Sequence, residues 1–268
     1  MVSYVREIAK RVCEMGPFNR GVRGWRTRRD RRRRGPSGGE RAGALDAGKK
    51  RRIRHSRVRG PCLLSETLAG LHEPPRVIAC ALATGYYGDR SSEALSEERN
   101  TGSNFLAGVC REWEGAADPV REVGMRVVHT RFGIVLSPKS EVLGATLPVF
   151  KLGGGRIGDG RQDWPWVTID DVVGAIFHVL GTEALEGPVN VAVSHPPTNA
   201  EYARVLGRVL DRRTVFSLPA QVARLALGQV ADELLLASQR VEPAKLNETG
   251  YQFRYPELEG ALRHLLGR

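Results

Sequence analysis

The stretch that most constrains the fold is Arg76–Arg90, RVIACALATGYYGDR, in which a short apolar run stops abruptly at Thr84. The run Val77–Ala83 is bounded by a proline and a glycine, which predicts a strand buried on both faces of a parallel sheet. In open α/β sheets, ligands bind in the crevice beyond the carboxyl ends of the strands. We therefore expect a ligand site at Thr84–Asp89, where glycines allow close approach to the backbone. A plain turn with two packed tyrosine rings is the alternative.

Downstream of this strand, helix and strand patterns alternate, which is typical of a parallel α/β sheet. The sequences Thr168-Ile-Asp-Asp171 and Thr198-Asn-Ala-Glu201 each precede an apolar helical stretch, as expected at a helix start. The arginine-rich segment from Lys49 predicts a helix before the first strand, interrupted or started afresh near Pro61. The other predicted elements are helices at 103–118 and 142–152, strands at 125–136 and 188–193, and a mostly helical last quarter.

The first 60 residues carry all of the chain's excess positive charge. They hold 20 Lys and Arg against 5 Asp and Glu, whereas the other 208 residues hold 21 against 25. The run Arg26–Arg34 is chemically able to bind nucleic acid, an anionic membrane surface or an acidic partner. Three alternatives stay open: a disordered solvated tail, a targeting presequence, and a segment that is not the natural start. Few aromatic residues accompany the arginines, so a base-stacking platform is unsupported and a nucleic-acid partner is only an alternative.

From about Lys49 to the carboxyl end, the chain resembles the epimerase family within the extended short-chain dehydrogenase/reductase superfamily. The residues that carry the likeness follow the family's order and are Ala83–Asp89, Phe105–Ala107, Val109–Cys110, Trp113–Glu114, Arg131–Leu136, Trp166, Ile169–Asp171, Thr198–Glu201, Gln239–Val241 and Gly250–Leu258. This resemblance implies a Rossmann-like parallel sheet that binds NAD or NADP, with a smaller C-terminal part closing over a sugar-nucleotide-like substrate. It implies an NAD(P)-dependent epimerase or dehydratase whose partner is a small, nucleotide-linked molecule.

Three regions are expected. Residues 1–47 form a basic segment that is disordered or not native, residues 48–195 a Rossmann-like domain, and residues 196–268 a small, mostly helical domain on the substrate side. The family pattern opens with an apolar strand, a glycine-rich turn and a helix that receives the pyrophosphate. Residues 1–60 contain no such sequence, so we expect a sheet that is incomplete at the N-terminus. An inactive or truncated family member with a binding or scaffold role is the contrasting hypothesis.

The catalytic pattern of the superfamily is altered in this chain. The resemblance places Ala83 at the hydroxyl position, Leu106 at the tyrosine position, and Cys110 at the position of the lysine that lowers the tyrosine pKa. Leucine has no titratable proton, and a neutral thiol supplies no positive charge. We therefore expect Thr84 and Tyr87 to carry any catalysis.

The other expected site residues surround the end of the first strand and the segments that follow it. Cofactor contacts are expected from Ala83, Thr84, Gly85, Arg131, Phe132 and Gly133, and substrate contacts from Tyr86, Arg156, Arg161, Trp166 and Asp170. If Tyr86 and Tyr87 are extended, their side chains point to opposite faces. Gly153–Gly158 matches GxGxxG without a following helix, so it predicts a flexible loop whose two arginines could meet a substrate phosphate.

Other classes of site and location find little support in the sequence. No histidine or cysteine spacing suits a metal ion, so no metal is expected. No window has the length of a membrane span, and no signal-peptide core is visible. The cytoplasm is therefore the expected compartment.

Overall fold

The structure, a computed structural model, describes residues 47–138 and 141–268. The predictions for the basic segment before residue 47 lie outside the described residues. The helices are α1 (Ala47–Ala69), α2 (Phe105–Gly115), α3 (Asp118–Glu122), α4 (Glu141–Lys151), α5 (Ile169–Gly181), α6 (Asn199–Val209), α7 (Ala220–Leu227), α8 (Ala244–Glu248) and α9 (Leu258–Leu266). The strands are β1 (Val77–Ala83), β2 (Ala94–Leu95), β3 (Arg126–Phe132), β4 (Ile134–Leu136), β5 (Gly154–Ile157), β6 (Trp166–Thr168), β7 (Gly187–Val191), β8 (Phe216–Leu218) and β9 (Arg240–Val241). A 3₁₀ turn covers Thr84–Tyr87, and a π-helical turn covers Ala231–Leu235.

A three-stranded parallel sheet in the order β1-β3-β7 is the centre of the fold. The strand predicted at Val77–Ala83 is confirmed, and its residues pair in register with Arg126–Phe132. All named strand pairs in the described part of the chain are parallel, including β2 with β9, β4 with β6 and β5 with β8. The predicted Rossmann-like α/β fold is therefore confirmed.

Helices cover both faces of this sheet. Strand side chains alternate between the two faces, so each face contacts a different set of helices. Val77 of β1 and Val128 of β3 pack with α5 in one apolar cluster. Arg131 of β3 faces the other side, where its guanidinium meets Glu114 of α2. Helix α1 packs along α2 and α3. The sheet thus lies between α5 on one face and α1 to α3 on the other. The carboxyl end of β1 lies at one edge of the sheet.

The strand predicted at 125–136 is divided into β3 and β4 at Gly133. The Gly133 N–H donates to the Val191 carbonyl at 3.1 Å. A Cβ at Gly133 would lie 2.8 Å from the Pro165 carbonyl oxygen, closer than side chains pack. Glycine therefore lets two chain segments cross, after which β4 leaves the main sheet and pairs with β6.

Two predictions about local structure are wrong. The sequence predicts a flexible loop at Gly153–Gly158, but Gly154–Ile157 forms β5 and pairs with β8. A Cβ at Gly154 would lie 2.8 Å from the Val149 carbonyl oxygen, so the glycine serves close packing against α4. The break expected near Pro61 is also absent from the described helix, because α1 continues through the proline. Its packing along α2 and α3 offsets the lost backbone hydrogen bond.

Both predicted helix starts are confirmed. The Thr168 hydroxyl accepts from the Asp171 N–H at 3.0 Å, and Thr198 forms a full capping box with Glu201. The last quarter is mostly helical, with short strands β8 and β9 between the helices. No helix among the described residues combines the length and apolar character needed to cross a membrane. The boundary proposed between residues 195 and 196 stays a prediction.

Candidate functional site

A cleft of about 560 Å³ opens at the carboxyl ends of β1 and β3. One wall comes from α2, through Leu106, Val109, Cys110 and Trp113. The other lining residues come from β4, from the segment just before β6 and from residues 233–239, and are Ile134, Val135, Asp163, Trp164, Pro165, Glu233, Leu234, Ala237 and Gln239. Ile53 and Arg57 of α1 close one end. This is the position at which open parallel sheets bind ligands.

Five of the expected site residues line this cleft: Ala83, Thr84, Gly85, Phe132 and Gly133. They are brought together because the parallel register puts Ala83 directly beside Phe132. Thr84 is buried and begins the 3₁₀ turn, in which the Gly88 N–H donates to the Gly85 carbonyl. The expectation of a site at this strand end thus agrees with the position of the cleft.

Arg131, expected as a cofactor contact, lies beneath the cleft and not among its lining residues. It is 2 % exposed, and its guanidinium donates to both Glu114 carboxylate oxygens at 2.7 and 3.0 Å. A third donor reaches the Tyr87 hydroxyl at 2.9 Å. The guanidinium also stacks 3.6 Å from the Tyr86 ring centroid. These contacts satisfy the charge within the fold.

Tyr86 and Tyr87 do not point to opposite faces, because their segment is a 3₁₀ turn and not an extended strand. Their rings meet edge to face, 5.4 Å apart, and both lie against Arg131. Tyr87 is fully buried, and its hydroxyl donates to Asn190 Oδ1 at 2.7 Å while accepting from Arg131. Burial raises the pKa of Tyr87, although the nearby guanidinium opposes the shift. A catalytic role for Tyr87 stays a prediction.

Leu106 and Cys110, which the family resemblance places at the tyrosine and lysine positions, both line the cleft. Leu106 offers only its backbone N–H to a polar partner, since its side chain is apolar. Burial, and next the Glu114 charge, raise the pKa of the Cys110 thiol to about 12. The thiol is therefore neutral at ordinary pH, and a nucleophilic thiolate is disfavoured at this place.

Three polar residues of the cleft were missed by the sequence analysis. Glu233 accepts a hydrogen bond from the Leu106 N–H at 2.9 Å, and Gln239 donates to the Gly88 carbonyl at 3.0 Å. Asp163 also lines the cleft, and burial raises its pKa while Arg240 opposes the shift. Gln239 belongs to a segment that carries the family likeness, but nothing in the local pattern around Asp163 or Glu233 indicates a site.

A second, polar cleft of about 680 Å³ adjoins the first, since Asp163 lines both. It contains Arg161 together with Asp89, Ser91, Ser92, Asp159, Gln162, Arg224 and Ser238. The other expected substrate contacts line neither cleft. Arg156 is exposed on β5, and Trp166 is buried in the apolar core. Asp170 lies on α5, 3.3 Å from the His264 ring nitrogen.

Comparison with known proteins gives close matches over most of the chain. Residues 218–265 match the family described as domain of unknown function DUF1731. An epimerase family protein of Mycobacterium leprae is 37% identical over 220 residues, which are 82% of this chain and 71% of that protein. Human epimerase family protein SDR39U1 is 32% identical over 213 residues, which are 79% of this chain and 72% of that protein.

Solved structures agree with these sequence matches. The crystal structure of human SDR39U1 (isoform 2) with NADPH has a TM-score of 0.78 and 29% identity, and the match covers 84% of this chain and 77% of that chain. A nucleoside-diphosphate sugar epimerase from Corynebacterium glutamicum has a TM-score of 0.70 and 33% identity, over 84% of this chain and 45% of that chain. The chain therefore belongs to the epimerase family of the extended short-chain dehydrogenase/reductases, is similar to SDR39U1, and carries a DUF1731 region near its carboxyl end.

Proposed function

We propose that the chain binds a nicotinamide dinucleotide, NADP(H) or NAD(H), and acts on a nucleotide-linked sugar or a similar small molecule. The observation that carries this proposal is the cleft at the carboxyl ends of β1 and β3, whose 560 Å³ lie within the usual range of small-molecule sites. The human relative was crystallised with NADPH, which makes NADPH the first cofactor to test.

The walls of the cleft suit the nicotinamide end of such a cofactor. Leu82, Val109, Phe132 and Ile134 offer apolar surface to a flat ring, and Gly85 leaves the backbone accessible. The pyrophosphate has no comparable cradle here, because no glycine-rich turn among the described residues leads from a strand into an α-helix at this cleft. We therefore assign only the nicotinamide end to these residues.

The chemistry divides between the cofactor and the chain. A bound nicotinamide would accept or return a hydride. Thr84, buried at the strand end, is in our proposal the hydroxyl that orients a substrate oxygen in place of the Ser or Thr expected at Ala83. The adjoining polar cleft with Arg161 would take the polar remainder of the substrate, since its aspartates and serines suit sugar hydroxyl groups.

Tryptophan fluorescence can test cofactor binding directly. Trp113 and Trp164 line the cleft, so a nicotinamide bound there should quench their emission. We expect saturable quenching on titration with NADPH or NADH. A folded chain that gives no quenching with either dinucleotide, and no binding by calorimetry, would contradict the proposal.

A pair of glycine variants supplies the control. A side chain at Gly85 would project toward Cys110 Sγ inside the cleft, with its Cβ 3.9 Å from the sulfur, so the backbone tolerates a side chain that occupies part of the site. We expect Gly85→Leu to weaken dinucleotide binding at least about tenfold. Gly181→Leu at the exposed end of α5, where a Cβ meets no atom within 4 Å, should leave binding unchanged.

The second candidate function is a binding or scaffold protein without turnover. It is favoured by Ala83, Leu106 and Cys110, the residues that the resemblance assigns to the three catalytic positions of the family. This candidate predicts that NADPH binds but that no hydride is exchanged with nucleotide-linked sugars. Transfer of deuterium from labelled NADPH to any such sugar would exclude it.

A further inference from the structure

Glu233 is a buried carboxylate that lines the cleft and takes no part in the proposed cofactor and substrate contacts. Glu233 lies in the π-helical turn Ala231–Leu235, and only 6% of the residue is exposed. One of its oxygens accepts from the Leu106 N–H at 2.9 Å, and the other accepts from the Gln229 side-chain amide. Both donors are uncharged, so a carboxyl group is held in a largely buried cleft by amides alone. Burying a carboxyl group without a charged partner costs free energy, so its presence here favours a functional role.

Glu233 is not the N-cap residue of α2. Asn104 is already the N-cap residue of α2, and its side chain accepts from the Ala107 N–H at 2.8 Å. Glu233 takes the neighbouring N–H of Leu106, at the first turn of the helix, where a negative charge is favoured. The π-helical turn that presents it is a rare conformation that is frequent at functional sites. The position of Glu233 in this turn and in the cleft therefore favours a functional role for its carboxyl group.

Glu233 is one of two carboxylates that line the cleft, the other being Asp163, and it is the one hydrogen-bonded to α2. Its hydrogen-bond partner Leu106 occupies the family's tyrosine position, and the other side chains of that catalytic pattern cannot exchange a proton at ordinary pH. The remaining titratable or charged groups that line the cleft are Arg57, Cys110 and Asp163. A carboxylate has about four acceptor sites, of which the two amides use two, so Glu233 keeps acceptor capacity for a ligand in the cleft that it lines.

We propose that Glu233 is the catalytic proton acceptor and donor of this cleft, in the role that the Tyr-x-x-x-Lys pair has in the superfamily. This inference rests on the proposed function. In oxidation, the substrate O–H bond breaks and its proton moves to a Glu233 oxygen, while the O–H electron pair forms the C=O bond. The hydrogen on carbon leaves with its electron pair as hydride to the oxidised nicotinamide dinucleotide. Reduction is the reverse.

The first test needs no substrate. An ionised carboxylate beside the nicotinamide favours the cationic oxidised ring over the neutral reduced ring. We expect Glu233→Gln to weaken NADP⁺ binding roughly tenfold relative to NADPH binding, as expected for a charge pair several ångström apart in a partly buried site. Isothermal titration calorimetry measures both affinities.

The variant separates chemistry from structure because the glutamine oxygen still accepts from the Leu106 N–H. Glu233→Gln should keep the melting temperature near wild type, whereas Glu233→Ala should lower it. With NADPH and 9,10-phenanthrenequinone as a generic carbonyl acceptor, turnover should fall about 100-fold or more in Glu233→Gln. Glu183→Gln, an exposed carboxylate between α5 and β7, is the matched control and should behave as wild type.

The outcomes distinguish the two proposals. An unchanged NADP⁺-to-NADPH affinity ratio in Glu233→Gln, or turnover equal to wild type, would overturn the role of Glu233 and leave dinucleotide binding standing. Failure of the wild type to bind either form would overturn both. If Glu233→Gln does not fold, Glu233→Asp carries the test, since it keeps the charge and should keep most of the affinity ratio; loss of the ratio in Glu233→Asp would contradict the proposal.

Discussion

At the scale of single residues, the hydrogen bonds of Tyr87 allow a structural role to be tested against a catalytic one. Its hydroxyl joins Arg131 to Asn190 in the buried interior. We expect Tyr87→Phe to lower the free energy of unfolding by about 1–3 kcal/mol, because it leaves a buried guanidinium donor and a buried amide oxygen without their partner. Urea denaturation measures the change. NADPH affinity should be unchanged, since Tyr87 does not line the cleft.

Tyr202→Phe is the matched control for this prediction. Tyr202 is also a buried tyrosine, but within the described part of the chain its hydroxyl has no hydrogen-bond partner. Removal of that hydroxyl should therefore change the stability little or increase it slightly. Equal effects of the two substitutions would show that the Tyr87 hydrogen bonds contribute nothing measurable. A specific loss of turnover in Tyr87→Phe, at unchanged stability, would support its catalytic assignment.

Glu97 leads to a prediction about pH. It is 4 % exposed, and burial raises the pKa of its carboxyl, although N–H groups of Asn190 and Lys245 oppose the shift. The folded chain therefore retains a proton that the unfolded chain releases. The stabilisation from this group is present below the unfolded pKa of about 4.3 and is lost as the pH rises through the higher folded value.

The expected result is that the stability of wild type relative to Glu97→Gln falls as the pH rises through that window. Urea denaturation of both proteins between about pH 4 and about pH 8 measures this difference. Glu98→Gln, the exposed neighbour, should show no such slope. A difference that is constant with pH, or one that grows, would contradict the inferred proton retention.

The predictability of single site residues depends on how local their placement is. Thr84 and Gly85 follow an apolar strand directly, so the strand pattern is enough to place them at the ligand edge. Glu233 reaches the same cleft from 127 positions beyond Leu106, through a turn that no local pattern announces. The contacts of Arg131 could not be predicted from its neighbours in sequence either, because its partner Glu114 lies on another element. Long-range pairing decides these positions and leaves no periodic signal.

At the scale of elements, apolar runs and capping residues correctly predict the strands and helix starts. Segments that contain glycine are predicted less well. Gly154–Ile157 has few apolar side chains, so no strand pattern is visible, yet pairing with β8 and close packing against α4 make it a strand. Gly133 likewise looks like an ordinary strand residue, although the close crossing at Pro165 ends β3 there. Where a glycine serves close chain approach, the tertiary neighbour decides its conformation, and the sequence around it does not.

Pro61 gives a prediction for α1. Proline in a helix interior removes one backbone hydrogen bond and costs about 3 kcal/mol relative to alanine. Because α1 continues through Pro61, the carbonyl of Arg57 lacks its helical donor. We expect Pro61→Ala to raise the free energy of unfolding by roughly 1–3 kcal/mol. Pro75→Ala, outside the helix and before β1, should give no gain. Denaturation midpoints compare the two, and a loss of stability in Pro61→Ala would show that α1 is interrupted there.

At the scale of the whole molecule, the cleft is walled by segments that are far apart in the chain. Residues of α1, α2, the ends of β1 and β3, and the turn Ala231–Leu235 all contribute. A ligand that contacts these walls binds only the folded chain, so its binding free energy adds to the stability of the whole unit. Cofactor binding and cooperative unfolding are therefore linked, and one experiment can measure both.

We expect NADPH at about 100 times its dissociation constant to add about 2.7 kcal/mol to the free energy of unfolding. For a unit of this size, that corresponds to a rise in melting temperature of roughly 5–10 °C. Calorimetric melts with NADPH, NADH and no cofactor measure the shift and rank the two dinucleotides. Gly85→Leu, which fills the cleft, should melt cooperatively without the shift, whereas Gly181→Leu should retain it. A shift of equal size in both variants would place dinucleotide binding elsewhere, because the ligand would then stabilise the fold without entering the cleft between β1, β3 and α2.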